Sequence, residues 1–304
     1  MHVDSTSEKA FLVGDNPFHN ISHLSQERAR TRSGMPNHSG HAADLVAASL
    51  ENGANGFMFS VSATTLSILE ELDQMGVINN LGLYPIVPYA YEYIRLANQA
   101  GGIPGLAKRF AKEVAISGNL RAFAMGLRGI AGMDPTSLMK AYLTFEISRV
   151  RSSIGKHAEV KSMFLHEVVT DIALALNLDW LFKSYMDFVM KLGFTPGFNT
   201  GNFSHLVEKF RSWNIDLHRL TIAAPFNKVG FQMNPSRGAC EKTLESIPEP
   251  NVIAISVLAA GYLNVREAIE YIAALPNVRG VAIGVSKESH AQESFRILRE
   301  NLKT

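Results

Sequence analysis

The sequence predicts an α/β protein, specifically a single-domain (β/α)8 TIM barrel over residues 1–304 with a helical insertion between its third and fourth strands. Short apolar runs alternate with amphipathic helical stretches along the chain, a pattern typical of parallel strands joined by crossover helices. The chain contains eight such runs, the number that closes the barrel. Its length of 304 residues also suits one barrel with an insertion.

The strand candidates are short runs rich in apolar residues, namely Ala10–Val13, Gly56–Val61, Leu83–Val87, Ser162–His166, Phe194–Phe198, Leu220–Pro225, Val252–Leu258 and Val281–Val285. The helix candidates between them are Ala42–Asn52, Leu66–Met75, Leu178–Leu192, Ser204–Trp213, Arg237–Ser246, Val265–Leu275 and Ser289–Asn301. A doubly wound open sheet is the main alternative, but such a sheet usually has fewer strands. The number of strands therefore favours the closed barrel.

Composition and charge indicate an ordinary globular protein, since 46% of the residues are hydrophobic, 19% are charged and the net charge is +1. The single cysteine, Cys240, excludes an intrachain disulfide and a multi-cysteine zinc site. Residues 1–9 lack the apolar stretch of a signal peptide, and the longest apolar run, residues 252–263, is too short to span a bilayer. We therefore expect a cytoplasmic protein without nucleic-acid or membrane partners. Its expected partners are a small-molecule substrate and, as an open alternative, copies of the same chain in a homo-oligomer.

Residues 101–156 interrupt the alternation because they are too many for one crossover helix. They contain nine Lys or Arg against three Asp or Glu, in stretches of helical periodicity. Asp134-Pro135 is a good helix start, with Asp as the cap and Pro in the first turn. We interpret the segment either as an extra helical layer with a solvated basic face or as a lid or oligomer contact. A basic lid would suit an anionic ligand.

The active site of such a barrel lies at the carboxyl ends of the strands and in the loops that follow. After the first strand candidate, in the stretch FLVGDNPFHNISHLS, come Asp15, Asn16 and His19. A carboxylate, an amide and an imidazole can together transfer protons and orient a substrate, so these residues are candidate catalytic residues. His23 belongs to the start of the following helix.

The fourth strand candidate ends in SMFLHE, which places His166 at the mouth of the predicted barrel. An imidazole titrates near neutral pH and can act as acid, base or ligand, so His166 is the strongest catalytic candidate. The alternative is a histidine that only holds a loop. Strand alternation turns the next residue, Glu167, towards the helix layer.

Two more groups of residues follow the later strands. After the last strand, GVSKES places small residues, free amides and a hydroxyl before a helix, and barrels often bind phosphate at this place. The phosphate or cofactor contacts predicted there are Gly284, Val285, Ser286 and Lys287. A turn glycine followed by a helix-capping serine is the alternative. The residues predicted to orient the rest of a bound molecule are Asn199, Asn202, Asn227 and Arg237.

A metal centre is a weaker hypothesis for the same region. Catalytic zinc takes three protein ligands, which Asp15, His19, His23 and His166 could supply. However, the chain has no HxH or HExxH spacing, and Pro17 lies between the first two candidates, so no regular element sets their directions. The sequence therefore assigns no metal ligands and leaves a divalent ion as an alternative.

Four stretches of the second half occur in a recognisable order: Leu165-His166, residues 197–203, residues 259–263 and residues 284–293. In this order they resemble the aldo-keto reductase family. That family shows, in the same order, a strand that ends in Leu-His, a GxSNF turn, a strand end of the form PLxxG and a tail of the form GxSxxE. The first half matches only in outline. The resemblance implies a barrel, a pocket at its mouth and a nicotinamide cofactor whose phosphates bind the tail. Lys287 and Arg296 lie in that tail, where a basic residue favours NADP.

The same resemblance implies a catalytic tetrad of Asp, Tyr, Lys and His that reduces carbonyl groups. Its histidine corresponds to His166, whereas the Asp position falls near Ser60 and the Tyr and Lys positions carry neither residue. Tyr89 could replace the proton donor only with a new geometry. Reduction by the ordinary mechanism is therefore not expected.

Three functions stay open at this point. The first is an enzyme that acts on a small polar, anionic or phosphorylated metabolite by acid–base chemistry of the isomerase, lyase or hydrolase kind. The second is an NAD(P)H-dependent oxidoreductase with a rearranged catalytic set. The third is a non-catalytic barrel that binds a ligand or partner. We rank the first function highest because the first loop contains several polar residues, whereas the positions of the family's Asp, Tyr and Lys carry none of these residues.

Overall fold

The computed structural model describes residues 9–19, 38–88, 134–155 and 158–302. Its strands are β1 (Ala10–Gly14), β2 (Gly56–Ser60), β3 (Gly82–Val87), β4 (Glu159–Val160), β5 (Ser162–Leu165), β6 (Thr195–Asn199), β7 (Thr221–Pro225), β8 (Val252–Ile255) and β9 (Val278–Gly284). The α-helices within these ranges are α1 (His38–Glu51), α2 (Ala63–Gln74), α3 (Pro135–Ser152), α4 (Glu167–Ala175), α5 (Asp179–Lys191), α6 (Phe203–Ser212), α7 (Arg237–Glu245), α8 (Val265–Ala274) and α9 (Glu288–Asn301). None of these helices is both long enough and apolar enough to cross a membrane.

The strands form one parallel sheet that closes on itself. β1 lies between β2 and β9, β2 also pairs with β3, and the remaining strands pair in sequence order as far as β9. β4 and β5 are two parts of one barrel strand, because both pair with β3 on either side of Lys161. The barrel therefore has eight strands, and the predicted (β/α)8 fold is confirmed.

Side chains alternate between the inside of the barrel and the layer beneath the helices. The inner cluster consists of Leu12, Met58, Ile86, Phe164, Ala223, Ile253 and Ala282. The residues that alternate with them and point outwards, such as Val13, Phe57 and Phe198, belong to the larger core beneath the helices. Ser60, His166 and Asn199 follow this alternation two residues beyond an inward-facing position. They therefore face inwards at the carboxyl-terminal mouth.

The predicted strands are all present, although some of their ends are shifted. The strand predicted over Val252–Leu258 stops at Ile255, because the backbone of Ser256 has a φ of 52° and leaves the extended region. The last strand begins at Val278, before the predicted start. The helix α4 was not predicted, and it begins directly after His166, the predicted end of the fourth strand.

The described part of the predicted insertion is the helix α3. Its cap is the predicted one, since the carboxylate of Asp134 accepts hydrogen bonds from the backbone N–H groups of Thr136 and Ser137. Its buried side chains Leu143, Ile147 and Val150 belong to the main core, so α3 is part of the helical layer around the barrel. Residues 101–133 and 156 lie outside the described residues, and the lid or oligomer role stays a prediction.

Gly197→Ala tests how tightly the inside of the barrel is packed. A Cβ atom on Gly197 would lie 2.7 Å from the ring of Phe164, which is fully buried. We expect the free energy of unfolding, measured by urea denaturation, to fall by about 1–3 kcal/mol, the usual cost of overpacking a core. Gly238→Ala is the control, because a Cβ atom there meets nothing within 4 Å and alanine favours the helix. Equal stability of the two variants would contradict the packing argument.

Candidate functional site

Asp15 follows β1 and turns its carboxylate towards the end of β2. Its Oδ2 accepts a hydrogen bond from the backbone N–H of Ser60 at 2.7 Å and lies 3.0 Å from Nε2 of His19. The loop is held in place by Phe18, whose buried ring lies 6.2 Å from that of Phe57. A carboxylate from the first loop therefore stands at the end of β2, where the sequence resemblance placed a family acid and the chain itself has serine.

The contact between Asp15 and His19 orients the imidazole. A carboxylate oxygen accepts in such a contact, so Nε2 of His19 faces Asp15 as the donor and Nδ1 is the ring nitrogen turned away from it. Each of the two side chains is only 6% exposed. An imidazole oriented by a buried carboxylate is a suitable general base.

His166 stands between β5 and α4 and is buried. Its Nδ1 accepts a hydrogen bond from the backbone N–H of Val168 at 3.2 Å, which makes the imidazole the N-cap of α4. Burial lowers the pKa of His166 to about 4, and the carboxylate of Asp15 opposes this shift. The ring is therefore neutral at pH 7 with its hydrogen on Nε2. His166 is thus suited to donate a hydrogen bond, whereas the sequence suggested an acid, a base or a ligand.

Asn199 ends β6 on the inner face of the barrel. Its side-chain Oδ1 is buried and has no hydrogen-bond partner among the residues that the structure describes. A buried acceptor without a partner costs free energy, so a polar hydrogen of a bound molecule would stabilise it. Of the predicted orienting residues, Asn199 has an atom suited to direct contact with a ligand.

The other predicted orienting residues bond to the protein itself. Asn202 donates from Nδ2 to the carboxylate of Asp171 at 2.9 Å. Asn227 is fully buried, and both ends of its amide bond to nearby backbone groups. Arg237 pairs with Glu241, with 3.3 Å between Nε and Oε1. We therefore assign Asn202, Asn227 and Arg237 to the support of loops around the mouth.

The predicted phosphate segment lies next to the first loop because β9 pairs with β1. Gly284 is required for space, since a Cβ atom there would lie 2.9 Å from the ring of Pro17. The Oγ of Ser286 lies 3.4 Å from Nδ1 of His290. Lys287 is exposed and precedes α9 without a side-chain cap, so backbone N–H groups at this helix start are left for another acceptor. Anion binding by this segment stays a prediction.

The remaining candidates from the sequence have side chains in other surroundings. Asn16 is exposed to solvent, and the side chain of Val285 is buried in the outer core. Arg296 lies further along α9 and lines a separate surface groove. His23 and Tyr89 are outside the described residues.

The sequence analysis missed a pair of carboxylates at the start of α4. Glu167 is the first residue of this helix, so the strand alternation used to orient it does not apply. Burial raises the pKa of both Glu167 and Asp171, and the charge of Asp171 raises that of Glu167 further. Asp171 accepts hydrogen bonds from Thr200 and Gly201, which fixes the loop after β6. The spacing of two acids by four residues was the available signal.

A metal site has no support in the described part of the chain. Within those residues, no group of three or more His, Cys, Asp or Glu side chains is placed to hold a metal ion. His19 and Asp15 bond to each other, and Nδ1 of His166 accepts from the backbone.

His166→Asn tests the buried neutral imidazole through the pH dependence of stability. The pKa of His166 is about 4 in the folded protein against 6.5 for a model histidine, so the unfolded chain binds more protons between these values. Wild-type stability should therefore fall as the pH drops from 6.5 to 4, by about 1.4 kcal/mol for each pKa unit. Asparagine can still cap α4, and urea denaturation of this variant should show a weaker dependence. His218→Asn, at an exposed histidine, should keep the wild-type slope; the same slope in both variants would refute the assignment.

Solved structures with the same architecture have been described as aldo-keto reductases. PA4992 of Pseudomonas aeruginosa, described as "the putative aldo-keto reductase", superposes with a TM-score of 0.59 at 13% identity, over 99% of this chain and 93% of that chain. A second structure, a "putative aldo-keto reductase" from the same organism, gives a TM-score of 0.57 with the same identity and coverage. No protein-family model and no curated protein matches the sequence. At this identity the likeness shows the fold alone: the chain is a (β/α)8 barrel similar in structure to these two proteins.

Proposed function

We propose that the protein is an enzyme that transfers a proton next to the carbonyl group of a small polar metabolite. The observation that carries this proposal is the buried Asp15–His19 pair beside the neutral His166. All three lie at the carboxyl-terminal mouth, the end of a barrel on which active sites form. The aldo-keto-reductase-type fold of the chain supports an enzyme at the same end of the barrel.

The two histidines have different roles in this proposal. The Nε2–H of His166 donates a hydrogen bond to the carbonyl oxygen of the substrate and stabilises the negative charge that develops there. The Nδ1 of His19, oriented through Asp15, takes the proton from the carbon next to the carbonyl. The C–H bond breaks, and its electron pair moves into an enolate. When that carbon carries a hydroxyl group, the proton returns to the former carbonyl carbon and the hydroxyl proton moves to the former carbonyl oxygen, which completes an isomerisation. When the next carbon carries a leaving group, that group departs with its electron pair, which completes a lyase reaction.

The anionic part of the substrate would bind at the start of α9. The uncapped N–H groups and the exposed Lys287 form a positive region there, and the contact of Pro17 with Gly284 places it beside the first loop. A carboxylate or phosphate at one end of the molecule and a carbonyl near His166 would fit this arrangement. Asn199 would accept a hydrogen bond from a hydroxyl of the same molecule.

Exchange of carbon-bound hydrogen tests the proton transfer. A panel of small hydroxy-carbonyl compounds, with and without phosphate groups, is incubated with the protein in D₂O, and loss of the proton next to the carbonyl is followed by NMR. We expect exchange on at least one compound. His19→Asn and Asp15→Asn should each slow it by about 100-fold or more, the usual contribution of a general base.

His218→Asn is the matched control, since it removes an exposed histidine away from the mouth. It should exchange protons at the wild-type rate. Exchange that persists unchanged in His19→Asn would refute the role of this histidine. Failure of the wild-type protein to exchange any compound of the panel would refute the proposed function itself.

A second candidate function is reduction of a carbonyl group with a nicotinamide cofactor, favoured by the unpartnered Oδ1 of Asn199. This atom could accept a hydrogen bond from a carboxamide, and the start of α9 with Lys287 suits the phosphate groups of a dinucleotide. The residues present therefore fit such a cofactor, which would supply a hydride. His166 would donate to the carbonyl oxygen in this reaction as well.

Titration of NADPH and NADH, followed by fluorescence, separates the two functions. For a reductase we expect NADPH to bind well below millimolar concentration, and Asn199→Leu to weaken binding about tenfold through loss of the acceptor. Asn199→Asp keeps an oxygen acceptor and should retain more affinity. Lys287→Gln should weaken NADPH more than NADH, because only NADPH carries the extra phosphate. Absence of binding below about 1 mM for both nucleotides would exclude the reductase.

A further inference from the structure

A second polar cavity lies at the opposite end of the barrel from the mouth. It has a volume of about 530 Å³, within the usual range for a small-molecule site. Its walls come from the amino-terminal ends of the strands and the residues just before them. They include Asn55, Asn79, Asn80, Tyr84, Glu159, Lys161, Thr221, Asn251 and Arg279. This basal cavity is separated from the mouth by the apolar cluster inside the barrel.

Arg279 reaches the basal cavity because the sheet is irregular at this point. Val252 pairs with Val278 and Ile253 pairs with Gly280, so Arg279 is an extra residue in β9. Val278 and Val281 both face the outer core, which a regular strand would not allow for residues three apart. Bulges often redirect a side chain, and here the guanidinium is turned into the lining of the cavity.

No acidic residue in the described part of the chain neutralises the charge of Arg279. Its guanidinium makes no hydrogen bond or ion pair with any residue of that part, and the residue is half-buried. The other charged side chains of the cavity form a pair, with 2.5 Å between Nζ of Lys161 and Oε2 of Glu159. One positive charge therefore remains in a polar cavity.

Neutral donors accompany this charge. Burial and the charge of Glu159 raise the pKa of Tyr84 to about 12, so its phenol keeps its hydrogen at physiological pH. Asn79 and Asn80 are exposed at the rim and bring further amide groups. By contrast, Asn55 is occupied, since its side chain bonds to the backbone of Phe11 and Lys9 and fixes the start of β1.

We propose that the basal cavity binds a small anion with a carboxylate or phosphate group, held by Arg279 with the hydroxyl of Tyr84. A planar guanidinium binds such groups through two parallel hydrogen bonds, and the loss of water from a half-buried cavity strengthens the attraction. The site is remote from the mouth, and the carboxylate in its lining, that of Glu159, is paired with Lys161, so the site binds without chemistry. Its occupation ties together the amino-terminal ends of several strands and stabilises the barrel.

Ligand-dependent thermal stability of the full chain tests this site. Inorganic phosphate and succinate are titrated separately at constant ionic strength, and the midpoint of unfolding is recorded. We expect a saturable rise with at least one of them, which distinguishes phosphate from carboxylate. Arg279→Gln should weaken the apparent affinity at least tenfold, and Tyr84→Phe should weaken it severalfold.

Two control variants separate this site from other cationic positions. Arg266→Gln removes an exposed charge from α8, and Arg299→Gln removes one from the groove near α1. Both should keep the wild-type affinity. A saturable rise that survives in Arg279→Gln, or its absence from the wild type with both anions, would overturn the proposal. If Arg279→Gln does not fold, the Tyr84→Phe variant decides the question, and an unchanged affinity in that variant would overturn the proposal.

Discussion

Closure of the parallel sheet through β1 is the constraint on which the site depends. Because β1 pairs with β2 on one side and with β9 on the other, residues distant in the sequence meet at its end. The carboxylate of Asp15 reaches the backbone of Ser60 after β2, and Pro17 packs on Gly284 after β9. An open sheet would leave the first and last strands apart. The acid–base groups and the phosphate segment would then belong to different surfaces.

Burial determines what each polar group at the mouth can do. Asp15 is buried, and its carboxylate accepts a hydrogen bond from the backbone of Ser60 and contacts His19, which it orients. Burial lowers the pKa of His166 and leaves its ring neutral at pH 7. The two imidazoles are therefore suited to opposite tasks. This division follows from their hydrogen bonds and not from their residue type.

The two ends of the barrel are polar for different reasons. At the carboxyl-terminal mouth, loops bring a buried acid–base pair, an unpartnered acceptor and an open helix start together. At the amino-terminal end, a bulge at Arg279 places a single charge among neutral donors. The apolar cluster between the ends keeps the two chemistries separate. A ligand at the basal cavity would thus affect stability, whereas one at the mouth would meet the catalytic candidates.

The sequence by itself determined the eight strands, most helices and the candidates His166, Asp15 and His19, because periodicity and strand ends are local features. It also indicated the cap at Asp134. It could not show that Asp15 bonds to Ser60, that His166 caps α4, or that Arg279 sits on a bulge. Hydrogen-bond partners, burial and strand register arise from contacts between segments far apart in the chain. Only the tertiary structure decided these, because the closed barrel brings such segments within bonding distance.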